Sequence, residues 1–239
     1  MSRLLIPKRR TPRLTRRELL VGAAALSLPA CDSAHPRAGF LGAMERVNAR
    51  LEAALFDEDR LAPEPPAEEE TPPGAFPKYF ISEAVPLAPR NWRLRVGGLV
   101  TRPVLLTLED LQRMPRNGYR LRHHCVEGWS AVATWHGVRV RDLAQAVGAS
   151  PDARFVEFRS FDAGYWSSWD RPSALHAQTL LAYGMNGYPL PPEHGAPLRL
   201  YSAVKLGYKM VKYLTEVNFL PEPTGGYWED QGYEWFAGV

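Results

Sequence analysis

From residue 92 onward the chain is a succession of short apolar–polar alternations that never settles into a strand–helix–strand cadence. Trp92 to Val96 alternates and stops at Gly97-Gly98, and Arg154 to Phe161 alternates again. A period of two marks a strand with one buried face. Tyr119 to Cys125, Ala196 to Tyr201 and Val211 to Phe219 read as further strands. Between them, Thr107 can cap a helix from Leu108 to Met114, Gly148 closes one from Val138, and Ala174 to Met185 reads as helix before a turn at Asn186-Gly187. Neither an internal repeat nor a regular βαβ order is visible. The expectation is therefore a mixed, β-rich α+β fold rather than a doubly wound sheet.

This domain should occupy residues 75–239. Ahead of it, Ala62 to Gly74 is rich in Pro and Glu with nothing to bury, which reads as an extended linker. Phe40, Met44, Val47, Leu51 and Leu55 recur at helical spacing, so residues 32–74 read as an amphipathic helix plus linker. Residues 1–31 read as an export signal. Basic residues lead into Thr15-Arg16-Arg17-Glu18-Leu19-Leu20, a twin-arginine signature, and then an apolar stretch to Leu28. That stretch is about half the roughly 20 residues of a membrane span. Leu28-Pro29-Ala30-Cys31 resembles a lipobox, so Cys31 is a candidate lipid anchor, with ordinary cleavage as the alternative. The implied location is the periplasm, with any membrane contact made only through this N-terminal anchor.

The formal charge of +3 belongs to that leader. Residues 1–30 hold seven Lys/Arg against Glu18, and removing them leaves 22 basic and 25 acidic residues. Such a body offers no electrostatic footprint for nucleic acid.

The chain has two cysteines. With Cys31 lipidated or removed, Cys125 has no intramolecular partner in an oxidising compartment. It reads either as a small buried hydrophobe or as a thiolate held by a metal. Neighbouring His123 and His124 make a poor zinc set with it, because adjacent strand side chains point to opposite faces. A Cys–His nucleophile is open too, but no third orienting group is evident.

Cys125-Val126-Glu127-Gly128-Trp129-Ser130 resembles the metal-ligand loop of the sulfite oxidase superfamily. It is most similar to the branch that holds the periplasmic protein-methionine-sulfoxide reductase catalytic subunits. The resemblance continues through Leu180 to Pro191, His194 to Leu200 and Gly207 to Lys212, in the same order. It implies Mo-molybdopterin as cofactor, with Cys125 as metal ligand. It further implies pterin contacts from Ser160, Asp162, His194, Arg199, Met210, Val211 and Lys212, and an active-site Tyr165. Arg199 suits a phosphate, since its planar fork binds two oxygens at once.

The implied activity is oxygen-atom transfer to or from a small sulfur compound, with sulfoxide reduction as first reading. A sulfite dehydrogenase with an atypical pocket, or a non-catalytic pterin-binding protein, is the alternative. Sulfite oxidases place an Arg shortly after the cysteine, where this chain has Gly128-Trp129-Ser130, and an Arg and a His after an aromatic pair, where it has Ile81-Ser82-Glu83-Ala84. A sulfite dianion needs those positive charges. With no haem or flavin motif in view, electrons should come from a separate redox partner, by resemblance a cytochrome. The sequence is silent on oligomeric state.

Overall fold

The computed structural model describes residues 39–72, 74–162 and 164–239. The twin-arginine motif and Cys31 lie outside the described residues. Two five-stranded sheets share one hydrophobic core.

The first sheet runs β2 (Val104–Leu106), β1 (Leu94–Gly98), β10 (Leu214–Leu220), β5 (Phe155–Ser160), β6 (Trp166–Asp170). Only the β1–β10 pair is parallel, with Val96 opposite Val217. The second sheet runs β3 (Asn117–His124), β4 (Ser130–Arg139), β7 (Leu180–Met185), β8 (Tyr188–Pro189), and β9 (Arg199–Tyr201) also pairs with β7. Alternation in β1 and β10 puts Leu94, Val96, Val217 and Phe219 in the core. Each such side chain contributes about 1.5–3 kcal/mol of burial. The mixed, strand-rich α+β expectation is met.

Two capping expectations hold. Thr107 accepts from Asp110 N–H, and the Asp110 carboxylate accepts in return from Thr107 N–H, a capping box on α2 (Leu108–Gln112). Gly148 ends α3 (Val140–Val147) at φ 63°, a conformation that side-chain-bearing residues resist.

The helix expected over Ala174 to Met185 is absent. A short α4 (Arg171–Leu175) ends there, and Leu180 to Met185 forms β7 instead. All six β7 residues are buried, so no alternation is visible, and packing between β4 and β9 overrides the helix preference of Leu and Ala. Strands β4 and β6 were not anticipated either. In β6 the fully buried Ser167 and Ser168 mask the pattern, and both are satisfied by the C-terminal segment.

The Pro/Glu run departs from a free linker: Ala67–Glu69 forms a 3-10 turn, and the run is fastened down. Thr71 N–H donates to Val132 O and Thr71 Oγ1 accepts from Val132 N–H, both at 2.9 Å, along the part of β4 that β7 does not reach. Glu70 accepts from Thr134, and Ala62 exchanges two hydrogen bonds with Gln178. A polar segment thus covers an otherwise open strand edge. The N-terminal helix forms as α1 (Gly39–Leu55), yet Met44, Val47, Leu51 and Leu55 are exposed. It attaches through its other face and its end, where Phe56 meets Phe236 edge-on at 5.9 Å. Among the described residues no helix is long and apolar enough to cross a membrane.

Candidate functional site

Where β3 and β5 end and β9 begins, a cavity of about 270 Å³ opens. Its wall brings together eight of the nine sequence-predicted residues: Cys125, Ser160, Asp162, Tyr165, His194, Arg199, Met210 and Lys212. Val211 is left out, with its side chain in the core and its carbonyl accepting from Leu200 N–H at 2.8 Å.

Cys125 follows β3 in a tight turn. Its N–H donates to Trp129 O and its carbonyl accepts from Gly128 N–H, both at 3.0 Å, with Gly128 at φ 89°. The sulfur is half-buried and lies 3.8 Å from Glu127 Oε2. Burial, followed by the Glu127 charge, raises the thiol's pKa, against the lowering effect of nearby backbone N–H groups. A metal would therefore have to displace the proton on binding. Among the described residues no three His, Cys, Asp or Glu side chains gather as a metal site.

The floor is cationic. Arg199 is 4% exposed, its Nη1 donates to His194 O at 3.0 Å, and its guanidinium lies 4.8 Å from the Trp135 ring centre. Lys212 Nζ donates to Glu193 O at 3.1 Å. Neither forms an ion pair with a carboxylate among the described residues. Burial lowers Arg199 to about 10, and burial with the Arg199 charge lowers Lys212 to about 7. A buried and a half-buried cation, neither in an ion pair, are costly even with the Asp162 and Glu193 charges drawing on Lys212, and an anionic group such as a phosphate would relieve both. His194 and His123 are held neutral, at about 4 and about 3, first by burial and then by Arg199. Gly207 packs against His123 so closely that a Cβ there would sit 2.4 Å from the ring. The residues present fit a pterin phosphate and a thiolate-bound metal.

The remaining predicted residues hold loops in place. Ser160 Oγ accepts from Asp162 N–H at 2.8 Å. The Asp162 carboxylate in turn accepts from Ile81 N–H at 3.1 Å and from Ser82 Oγ, fixing the loop 76–82 over the cavity. Tyr165 donates to Tyr208 O at 2.6 Å, and burial pushes its hydroxyl far above the usual phenol range. It suits hydrogen bonding rather than proton release.

Sequence reasoning missed the mouth. Tyr79, Glu127, Trp228 and Tyr233 line it, and Trp228 lies 4.9 Å from Tyr233 and 6.1 Å from Tyr79 between ring centres. Beneath this segment, the buried Lys209 pairs with the buried Glu229, which also accepts from Ser167 at 2.6 Å. The pair clasps the C-terminal segment to the turn Gly207–Lys209. The aromatic density of residues 227–236 was the available signal.

Comparison with known proteins agrees with this geometry. Residues 82–228 match the oxidoreductase molybdopterin binding domain. A chain of Azospira oryzae, provisionally named protein-methionine-sulfoxide reductase subunit YedZ1, is 39% identical over 221 residues, covering 92% of this chain and 82% of that one. The protein-methionine-sulfoxide reductase catalytic subunit MsrP of Campylobacter jejuni is 30% identical over 169 residues, covering 63% of this chain and 57% of that one. In fold, the chain is similar to the sulfane dehydrogenase SoxCD of Paracoccus pantotrophus, at TM-score 0.62 and 22% identity, over 82% of this chain and 56% of that one. A cysteine and two cations without an ion pair among the described residues on one cavity, within a matched stretch of this extent, place the chain in the molybdopterin-binding oxidoreductase family, the sulfite oxidase superfamily.

Proposed function

We propose that the cavity holds Mo-molybdopterin with the Cys125 sulfur on the metal, and that the protein reduces S-oxides outside the cytoplasm, methionine sulfoxide among them. The observation that carries this reading is the convergence on one cavity of the Cys125 sulfur with the buried Arg199 and the half-buried Lys212, neither of which forms an ion pair among the described residues. Arg199 and Lys212 would hold the pterin's phosphate, and His194 and Met210 would flank the ring system. Ser160 and Asp162 would keep the covering loop closed, and Tyr165 would have to release Tyr208 O to turn its hydroxyl toward the substrate oxygen. Bound there, molybdenum would supply the two-electron couple that oxygen-atom transfer needs. Each turnover takes a sulfoxide, two electrons and two protons to a sulfide and water.

The names of the Azospira and Campylobacter relatives favour a sulfoxide as substrate, and both describe a subunit. The electrons are assigned to a separate redox partner, a cytochrome. Residues 1–31 are assigned to twin-arginine export to the periplasm, with Cys31 as a candidate inner-membrane tether. Residues 32–74 are assigned as helix and linker, and 75–239 as the catalytic unit.

Elemental analysis and turnover test the reading together. The purified protein should carry about one molybdenum per chain and reduce methionine sulfoxide with an artificial donor. Cys125→Ser should lose roughly a thousandfold or more in activity. Absence of molybdenum overturns the site, and turnover of sulfite alone overturns the substrate.

A further inference from the structure

We propose that Glu127 is an electrostatic filter that makes the site select uncharged S-oxides on apolar arms and reject anionic substrates. The inference rests on the reading of the cavity as a sulfoxide-reducing site, and it adds a specificity-determining residue to it.

Glu127 is exposed, and its carboxylate lies 3.8 Å from the sulfur of Cys125. It is not free to swing away, because Trp129 Nε1 donates to Oε2 at 3.0 Å and the tight turn at Gly128 fixes the backbone. Trp129 is itself held, stacked on the buried His123 ring at 5.5 Å and 26°. Among the described residues no Lys or Arg forms an ion pair with Glu127. The nearby rim cation, Lys78, is engaged by Glu193 at 3.1 Å. Arg199 and Lys212 lie deeper and are committed to the cofactor. A compact anion approaching the sulfur thus meets a fixed negative charge and no spare cation.

Tyr79, Trp228 and Tyr233 complete the mouth with aromatic surface. Rings of this kind favour hydrocarbon and polarisable sulfur. The carboxylate and the rings discriminate in the same direction. An uncharged sulfoxide with alkyl arms gains contact and suffers no repulsion, whereas sulfite or a sulfoxide with a carboxylate near sulfur is repelled. A unit charge at this range, partly screened by solvent, is worth about three- to tenfold in affinity.

The test compares wild type with Glu127→Gln, Glu127→Asp and Trp129→Phe, all checked for molybdenum content. Two readouts are taken. The first is turnover of dimethyl sulfoxide against a carboxylate-bearing alkyl sulfoxide. The second is equilibrium binding of sulfite and sulfate to the molybdenum-loaded protein, in which Arg199 and Lys212 are occupied, followed by tryptophan fluorescence.

Glu127→Gln should cut the preference for the uncharged substrate about three- to tenfold, through KM of the charged one rather than kcat. It should tighten anion binding by a similar factor. Glu127→Asp should stay close to wild type. Trp129→Phe should fall between, since it frees the carboxylate without removing it. The wild-type preference should also shrink as salt rises. Unchanged preference and anion affinity in Glu127→Gln would overturn the filter. So would molybdenum loss in that variant restored in Glu127→Asp, which would assign Glu127 to holding the centre. Anion binding needs no turnover, so a wild type inactive on every sulfoxide would sink the sulfoxide reading while leaving the filter testable.

Discussion

Among the described residues, Arg199 is a buried and Lys212 a half-buried cation at the floor of the cavity, neither in an ion pair, whereas at the mouth Glu127 is an exposed carboxylate likewise without one. The floor's charge is expensive. Removing a guanidinium from water costs several kcal/mol unless an anion compensates, so the empty protein carries an electrostatic debt that only a bound anion cancels. The mouth's charge costs the fold little, because water already solvates it. Its effect appears only when a second charge approaches. The two regions therefore act at different moments, the floor when the cofactor binds and the mouth when a substrate arrives.

If that division is right, the largest effect should come from cancelling the floor's debt by mutation. Arg199→Met keeps most of the volume and deletes the charge. The apoprotein should gain about 1–4 kcal/mol, as replacement of poorly compensated buried charge by a hydrophobe often does. Molybdenum occupancy should nevertheless fall about tenfold or more, because the phosphate loses its fork-shaped partner. Thermal melts of the apoprotein and the metal-to-protein ratio of the holoprotein check the two halves. A variant that melts lower and keeps its metal would show that Arg199 is ordinary structure.

Lys212 sharpens the same point through pH. Its pKa falls from 10.5 to about 7 on folding, chiefly by burial. Below pH 7 both folded and unfolded chains hold the proton, and the folded state bears the cost of a partly desolvated ammonium beside Arg199, eased by the Asp162 and Glu193 charges. Between 7 and 10.5 only the unfolded chain holds it, so apoprotein stability should rise with pH, at up to about 1.4 kcal/mol per unit. Anion binding should move the other way. Affinity of the apoprotein for inorganic phosphate should weaken above pH 7, by at most about tenfold per unit. His194 and His123, at about 4 and about 3, add nothing to this window. Denaturant titrations and phosphate binding at pH 6.5 and 8.5 measure both slopes, and Lys212→Met should flatten them.

The two regions also differ in how far the sequence reveals them. Floor residues sit in short contiguous runs, such as His194 to Arg199 and Met210 to Lys212, and it is the resemblance of those runs to a known family that names them before any coordinates exist. The mouth is assembled from residues about 150 positions apart, Tyr79 and Trp228, on segments without regular structure, and no local period betrays that they meet. The same contrast runs through the fold. The half-buried strands β1 and β5 show their alternation, while the wholly buried β7 reads as helix because nothing in Leu-Leu-Ala-Tyr-Gly-Met alternates. Burial on both faces erases the pattern that burial on one face writes.

The smallest expected effect tests the aromatic side of the mouth. Trp228 touches Tyr227, Tyr233 and Tyr79 at ring-centre distances of 5.2, 4.9 and 6.1 Å, and the segment beneath it is clasped by the buried Lys209–Glu229 pair. Its position is therefore set independently of any ligand, as a preformed wall requires. Contacts between sulfur and an aromatic ring are worth about 0.3–1.5 kcal/mol, so Trp228→Leu should raise KM for an uncharged sulfoxide about two- to tenfold. Trp228→Phe should recover only part of the loss, because it restores the π-face but not the side-chain hydrogen bond that Trp228 makes to Tyr165. Molybdenum content decides what the result means. If Trp228→Leu sheds the metal, the residue belongs with the floor and the division into two regions fails. If KM rises while the metal stays, cofactor retention and substrate choice are built from separate sets of side chains.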